Sequence, residues 1–370
     1  MRNLESFSGP RIKINGRDMI MLGSNNYLGL TFHPKVKEAA IKAIKKYGVG
    51  SGGARHLSGT YTLHEELERE IAEFKGTESA VVFNTGFMTN LGSIMCLVNE
   101  DTMLINDEKN HASIVDGCKI STARIRVFLH NDMQYLEEIL SSYAKTQDKL
   151  IIVDSVFSMD GDIANLPEIY ELARRYRARI MIDEAHATGV LGKTGRGAPE
   201  HFNMASAKID IVMGTFSKAV GGLGGFIAST EDMVTYLKHT SREFIFSTSL
   251  PPSIIAANIA AIEVVQKEPH LLKQLWRNIK YMKEGLGNLG YDTGNSQSAI
   301  IPVLIRDEIK TYKMTRMLDK TGIFVSPVVF PAVKKSESRL RLTVIALHSL
   351  ADLDRALEAF KKAGRKLGII

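Results

Sequence analysis

The sequence predicts an α/β fold: a mostly parallel central sheet flanked by helices, followed by a smaller C-terminal α+β domain. Three observations predict it. Short, almost continuously apolar runs recur through the first two thirds of the 370 residues, which is how strands buried on both faces read. Segments with apolar residues at helical spacing lie between several of these runs, and strands alternating with helices build parallel sheets covered on both faces. At Pro251-Pro252 the alternation stops, and longer helices with a different strand pattern follow.

Residues 1–33 read as an N-terminal arm. Residues 34–47 carry Val36, Ala40, Ala43, Ile44 and Tyr47 at helical spacing, and Pro34 suits a helix start. The glycine-rich stretch 48–53 stops that helix, and 64–74 reads as the next. Strand-length apolar runs fall at 80–83, 103–105, 125–128, 150–153, 180–182, 209–213 and 226–228. A helix at 167–176 places Ile169, Leu172, Ala173 and Tyr176 on one side. Residues 34–252 are expected to form a large domain. Helices at 253–267 and 270–289, strand-like runs at 299–305, 322–329 and 339–346, and a last helix at 350–364 are expected to form a small domain, 253–370.

Hydrophobic residues make up 44% and charged residues 24%, which excludes disordered and collagen-like chains. Two cysteines, Cys96 and Cys118, make no disulfide framework and fit a reducing compartment. The first ten residues lack the apolar segment of a secretory leader, and no apolar run reaches the ~18–20 residues of a membrane helix. A cytoplasmic protein without membrane insertion is expected. The net charge is +6, but basic and acidic residues interleave along 35–46 and 308–320. That pattern reads as solvated faces and suits an anionic small molecule, with no nucleic-acid partner expected.

Several motif matches fail. His64-Glu65 opens like a zinc-binding HExxH, but Glu68 stands where the second histidine belongs, so no metal is expected. Gly192-Lys193-Thr194 resembles the end of a P-loop, with Ala187 in place of the required glycine. Gly222 and Gly224 lack a third glycine, because Ile227 occupies its position.

The positive signal is a set of polar segments, each ending an expected strand, where open parallel sheets bind ligands. These are Asn84-Thr85-Gly86-Phe87, the stretch 154–162, Asp183-Glu184-Ala185-His186 and Gly214-Thr215-Phe216-Ser217-Lys218. Singly, Asp183 reads as a helix cap, Lys218 as a surface lysine, and His111 and His186 as hydrogen-bonded core histidines. Together they supply a Schiff-base amine, an acid for a pyridine nitrogen, and hydroxyl and backbone donors for a phosphate. That is the equipment for pyridoxal phosphate.

At this point the chain resembles the α-oxoamine synthases, a branch of the fold-type I pyridoxal-phosphate enzymes, over nearly its whole length. The resemblance rests on residues 24–30, Gly50-Ser51-Gly52-Gly53-Ala54-Arg55, Asn110-His111-Ala112-Ser113, residues 156–162, Asp183-Glu184-Ala185-His186, Thr215-Phe216-Ser217-Lys218 and Arg339-Leu340-Arg341-Leu342. It implies that Lys218 carries the cofactor and acts as acid and base at the substrate Cα. By the same resemblance, Asp183 pairs with the ring nitrogen, His111 stacks on the ring, and His186 and Ser158 hydrogen-bond the ring oxygen. Gly86, Phe87 and Thr215 bind the phosphate, and Ser247 and Thr248 reach the phosphate of a neighbouring subunit in a homodimer. Arg341 grips the amino-acid carboxylate, and Asn25 contacts the substrate.

The implied reaction joins a small amino acid to an acyl-CoA, releasing coenzyme A and carbon dioxide and leaving an α-amino ketone. Members differ in substrate. Residues 50–59 look like the biotin branch, 8-amino-7-oxononanoate synthase, which uses alanine and pimeloyl-CoA. Residues 213–226, 300–307 and 324–329 look like bacterial serine palmitoyltransferases, and residues 364–370 like glycine C-acetyltransferase. The expectation is the palmitoyltransferase-like branch, with the other two as alternatives. An aminotransferase or carbon–sulfur lyase on the same fold is the more distant alternative.

Overall fold

The computed structural model describes residues 3–370, so Met1 and Arg2 of the expected arm lie outside the described residues. The chain divides into two units. The larger comprises 34–157 and 163–267; the smaller comprises the residues up to His33, 158–162 and 268–370.

Among the described residues, the large unit holds a seven-stranded sheet. Its spatial order is Ser79–Phe83, Gly225–Ser229, Ile211–Thr215, Arg179–Asp183, Lys149–Asp154, Met103–Asp107 and Arg124–Phe128. Gly225–Ser229 runs antiparallel to both neighbours, and the other pairings are parallel. Leu150, Ile152, Met181 and Ile211 on the central strands are fully buried with Ile94 and Ile114 from flanking helices. Each such side chain contributes about 1.5–3 kcal/mol on leaving water.

This topology positions the chemistry. The parallel strands end on one edge, at Phe83, Thr215, Asp183, Asp154, Asp107 and Phe128. The chain steps outward from Met103–Asp107 to Arg124–Phe128, then returns to Lys149–Asp154 on the other side. The strand order thus reverses between Met103–Asp107 and Lys149–Asp154, the crevice where ligands enter doubly wound sheets. Ile211–Thr215 and Gly225–Ser229 are antiparallel neighbours, so their connection, which contains Lys218, must turn at the same edge.

The expected boundary after residue 252 falls instead after Lys267. The helix Pro252–Lys267 buries Ile255, Ala261, Ile262 and Val264 and packs on the helices Pro34–Tyr47 and Thr62–Lys75. Its apolar residues need that cover.

The small unit holds two three-stranded sheets among the described residues. In one, the hairpin Arg11–Ile14 and Arg17–Met21 turns at Asn15-Gly16, both at positive φ (49° and 71°), and adds Ile323–Phe324 in parallel. Residues 11–21 are therefore paired strand rather than an arm, because Ile12, Ile14, Met19 and Met21 need a common core. In the other sheet, Arg339–Thr343 lies between Ile300–Leu304 and Ser326–Val328, antiparallel to both. The expected run 322–329 is thus split at Val325 between the two sheets. Pro302 and Pro327 both sit on edge strands, where a missing N–H breaks no ladder. No helix among the described residues is long and apolar enough to cross a membrane.

Candidate active site

The large unit gathers most of the expected site residues on one sheet edge. Gly86 and Phe87 open the helix Gly86–Leu97, whose first N–H groups have no partner within the helix. Thr85 caps it by accepting from Met88 N at 3.1 Å. A Cβ on Gly86 would collide with Thr215 Cγ2, so glycine allows the helix to start directly against the strand end. Thr215 is buried, and its Oγ1 has no hydrogen-bond partner among the described residues.

Asp183 ends its strand at 4% exposure. Its Oδ1 accepts from Ala185 N at 2.8 Å and its Oδ2 from Asn90 Nδ2 at 2.7 Å. Asp154, the residue paired with Asp183 in the strand register, accepts from His111 N at 2.9 Å. Burial, with the Asp183 charge beside it, pushes the Asp154 carboxyl well above the usual carboxylate range, while Lys218 works against the shift. His111 caps the helix Ala112–Ile120 at the reversal point of the strand order. The protein crowded around its ring lowers its pKa; the Asp183 charge opposes this and the Lys218 charge adds to it. Lys218 is therefore close enough to act on both His111 and Asp154.

The Lys218 loop is shaped by Gly221 and Gly224, at φ 76° and 114°, with Gly222 N donating to Phe216 O at 2.8 Å. His186 is buried in the turn after Asp183. That turn is pinned by Glu184, whose fully buried carboxylate meets Lys75 Nζ at 2.5 Å and accepts from Ala198 N at 2.6 Å. Ser247 is half-buried and Thr248 exposed; Thr248 forms an isolated bridge with Ala54, and its carbonyl accepts from Asn84 Nδ2 at 2.5 Å.

Ser158, Asn25 and Arg341 belong to the small unit. Arg341 Nε donates to Ser158 O at 2.6 Å, and its Nη1 to Asn25 Oδ1 at 3.2 Å. Tyr27 lies beneath; burial pushes its phenol up to about 12, and the Arg341 charge pulls the other way. Ser158 sits in a segment grouped with Arg341, whereas the sequence reading attached it to the sheet edge. The guanidiniums of Arg339 and Arg341 hold that segment by Ser158 O, Met159 O and Asp160 Oδ1.

Asn90, Ser113 and Asp154 went unread as site residues. Asp154 and Ser113 lie within the motifs at 154–162 and 110–113, whose resemblance implies no role for them. Asn90 carried a usable signal, since with Thr89 and Ser93 it interrupts an otherwise apolar helix, and the structure buries all three.

These residues fit pyridoxal phosphate. An orphaned buried hydroxyl beside a helix N-terminus suits a phosphate, a buried carboxylate suits a pyridinium, and a lysine shares the same edge.

The aminotransferase class I and II family matches residues 17–360. The 8-amino-7-oxononanoate synthase of Thermoanaerobacter pseudethanolicus is 49% identical, over 99% of this chain and 93% of that one. Its namesake from Symbiobacterium thermophilum is 46% identical, over 100% and 94%. A serine palmitoyltransferase from S. paucimobilis, solved with a bound pyridoxal phosphate–myriocin aldimine, superposes with a TM-score of 0.97 at 36% identity, over 100% and 94%. Matched along almost its entire length, the chain belongs to the aminotransferase class I and II family, as a pyridoxal-phosphate-dependent C-acyltransferase of the α-oxoamine synthase branch.

Proposed function

We propose that this chain condenses alanine with a pimeloyl thioester, the 8-amino-7-oxononanoate synthase reaction. The observation that carries this choice is residue identity along the full chain: 49% and 46% to relatives of that name, against 36% to the palmitoyltransferase. The palmitoyltransferase-like expectation gives way to its alternative. A TM-score of 0.97 does not weigh against this, because a backbone is shared across substrates that side chains distinguish.

In the balanced reaction, alanine Cα loses a proton and bonds to the acyl carbon, and the C–S bond breaks to release the thiol. The carboxylate leaves as carbon dioxide, and a proton returns to Cα. Bound pyridoxal phosphate supplies an electron sink conjugated to Cα. Lys218 holds the cofactor through its amine and moves the proton at Cα. Asp183 holds a proton on the ring nitrogen. His111 covers the ring face, and His186 and Ser158 hydrogen-bond the ring oxygen. The amides of Gly86 and Phe87 and the Thr215 hydroxyl bind the phosphate. Arg341 binds the amino-acid carboxylate as a charge-assisted donor, and Asn25 contacts the substrate. Ser247 and Thr248 serve the neighbouring subunit's phosphate in a cytoplasmic homodimer.

The test is thiol release by the cofactor-loaded protein, crossing glycine, alanine and serine with acetyl-, succinyl-, pimeloyl- and palmitoyl-CoA. Release requiring alanine and pimeloyl-CoA is expected. Preference for serine and palmitoyl-CoA would restore the palmitoyltransferase branch. No release from any pair would point to an aminotransferase or lyase.

A further inference from the structure

One chain of buried contacts in the large unit is used by none of the roles above. Asn90 and Ser113 are each 1% exposed. Asn90 Nδ2 donates to Asp183 Oδ2 at 2.7 Å and to Ser113 Oγ at 2.9 Å. Ser113 Oγ lies 2.8 Å from His111 Nδ1, and Ser113 N donates to the same nitrogen at 3.3 Å.

Proton counting fixes the direction of every bond. Asn90 must present its amine to Asp183, because the reversed amide would set its carbonyl against a carboxylate oxygen. An amide nitrogen has two hydrogens, and Asp183 and Ser113 take both. Ser113 Oγ therefore accepts from Asn90. His111 Nδ1 accepts from Ser113 N, so it carries no proton, Ser113 Oγ is the donor in their 2.8 Å contact, and the neutral ring is protonated on Nε2. Asn90 Oδ1 is buried without a partner among the described residues, as befits an amide used only as a double donor.

We propose that Asn90 is a positioning residue that, through Ser113, ties the orientation of the Asp183 carboxyl group to the Nε2–H tautomer of His111. The inference rests on the reading of Asp183 and His111 as the cofactor's ring partners. Asp183 shares its strand register with a second buried carboxyl, Asp154, and its two buried oxygens need donors to fix their orientation. Asn90 and the Ala185 amide supply them, with Lys218 nearby. One amide thereby orients the carboxyl group at one end of the site and supports the tautomer at the other.

The test uses the pyridoxal-phosphate-loaded protein and two readouts: cofactor affinity by equilibrium dialysis, and the His111 tautomer by ¹⁵N chemical shifts of histidine-labelled protein. Wild type is expected to show Nε2–H. Asn90→Ala is expected to weaken cofactor binding by about tenfold, as loss of a hydrogen bond to a charged group does, and to mix the tautomers. Ser113→Ala, which leaves Nδ1 only the longer 3.3 Å bond from the residue 113 amide, is expected to admit part of the Nδ1–H tautomer while leaving affinity within about twofold, and Ser113→Thr, which keeps the hydroxyl, to restore wild-type behaviour. Nδ1–H in the wild type overturns the inference. So does a folded Asn90→Ala variant with both readouts unchanged. Should Asn90→Ala not fold, the Ser113 pair decides, and an unchanged tautomer in Ser113→Ala overturns the coupling. A wild-type chain that takes up no cofactor sinks the functional reading as well, whereas normal uptake with an inert Asn90 sinks this inference alone.

Discussion

Arg339 and Arg341 leave the same face of one strand two residues apart, yet carboxylates neutralise only Arg339. Arg339, with a side chain 3% exposed, contacts Asp160 at 2.5 Å and Glu337 at 3.4 Å. Arg341 meets the neutral oxygens of Ser158 and Asn25. A guanidinium already balanced by carboxylates has little attraction left for another, whereas Arg341 keeps its charge for a ligand. Arg341→Ala is therefore expected to raise the amino-acid KM about 10- to 100-fold, equivalent to a charge-assisted contact of ~1.5–3 kcal/mol. Arg339→Ala is expected to lower thermal stability, with a smaller effect on KM. Equal KM changes in steady-state kinetics would move the carboxylate site away from Arg341.

Lys218 shares the sheet edge with Asp183 and Thr215, and its charge acts on His111 and Asp154. Borohydride reduction of the loaded protein followed by peptide mapping is expected to label Lys218. Lys218→Ala is expected to abolish the label and lower turnover at least ~1,000-fold, as removal of a covalent catalyst does. A label on any other lysine refutes the assignment.

Lys75 and Glu184 form a fully buried ion pair beside Asp183. Thr188 Oγ1 and Arg196 O take further hydrogens of the ammonium. Lys75→Met leaves the Glu184 carboxylate uncompensated and is expected to cost about 3–5 kcal/mol in urea unfolding. The double variant Lys75→Met with Glu184→Leu is expected to recover part of that loss. If the single variant unfolds like wild type, the pair does not hold the turn.

His64 and His348 are both 1% exposed, and burial draws each down from 6.5 to about 4. The Arg55 charge assists at His64, where Glu68 opposes. Between those pH values the unfolded chain binds protons that the native rings refuse, so stability rises with pH. The stabilisation is complete above pH 6.5 and is lost as pH falls toward 4, by about 3 kcal/mol per ring. Urea midpoints measured across pH 7 to 4 should fall, and His348→Asn should fall less steeply. A flat wild-type profile would contradict this.

In the large unit, Val49, Leu57 and Phe246 are 81%, 86% and 73% exposed, in segments flanking Ser51, Ala54 and Ser247. The proposed dimer would cover such residues. Sedimentation is expected to give a dimer at assay concentration, and Leu57→Glu to weaken it and lower activity together. An active monomer would refute the shared site.

Much of this architecture was legible locally. Strands such as 150–153 and 180–182 declare their two-sided burial in four or three consecutive apolar residues, and the motifs ending them stay contiguous. Asn15-Gly16 between alternating residues is a hairpin signal of the same local kind, although the segment was read as an arm. The helix at 253–267 was legible as a helix, but its unit was not. What covers its apolar face is a helix more than two hundred residues away.

The sequence alone therefore determined the fold class and the cofactor and named the candidate residues of the site, because burial periodicity and contiguous motifs are written within a few residues. The tertiary structure alone decided that Asp154 stands in register with Asp183 and that Asn90 bridges Asp183 and Ser113. It also decided that Asp160 balances the charge of Arg339 while Arg341 meets only neutral oxygens. Each of these is a contact between residues distant in sequence, and its energy depends on distances and dielectric surroundings that exist only once the chain has folded.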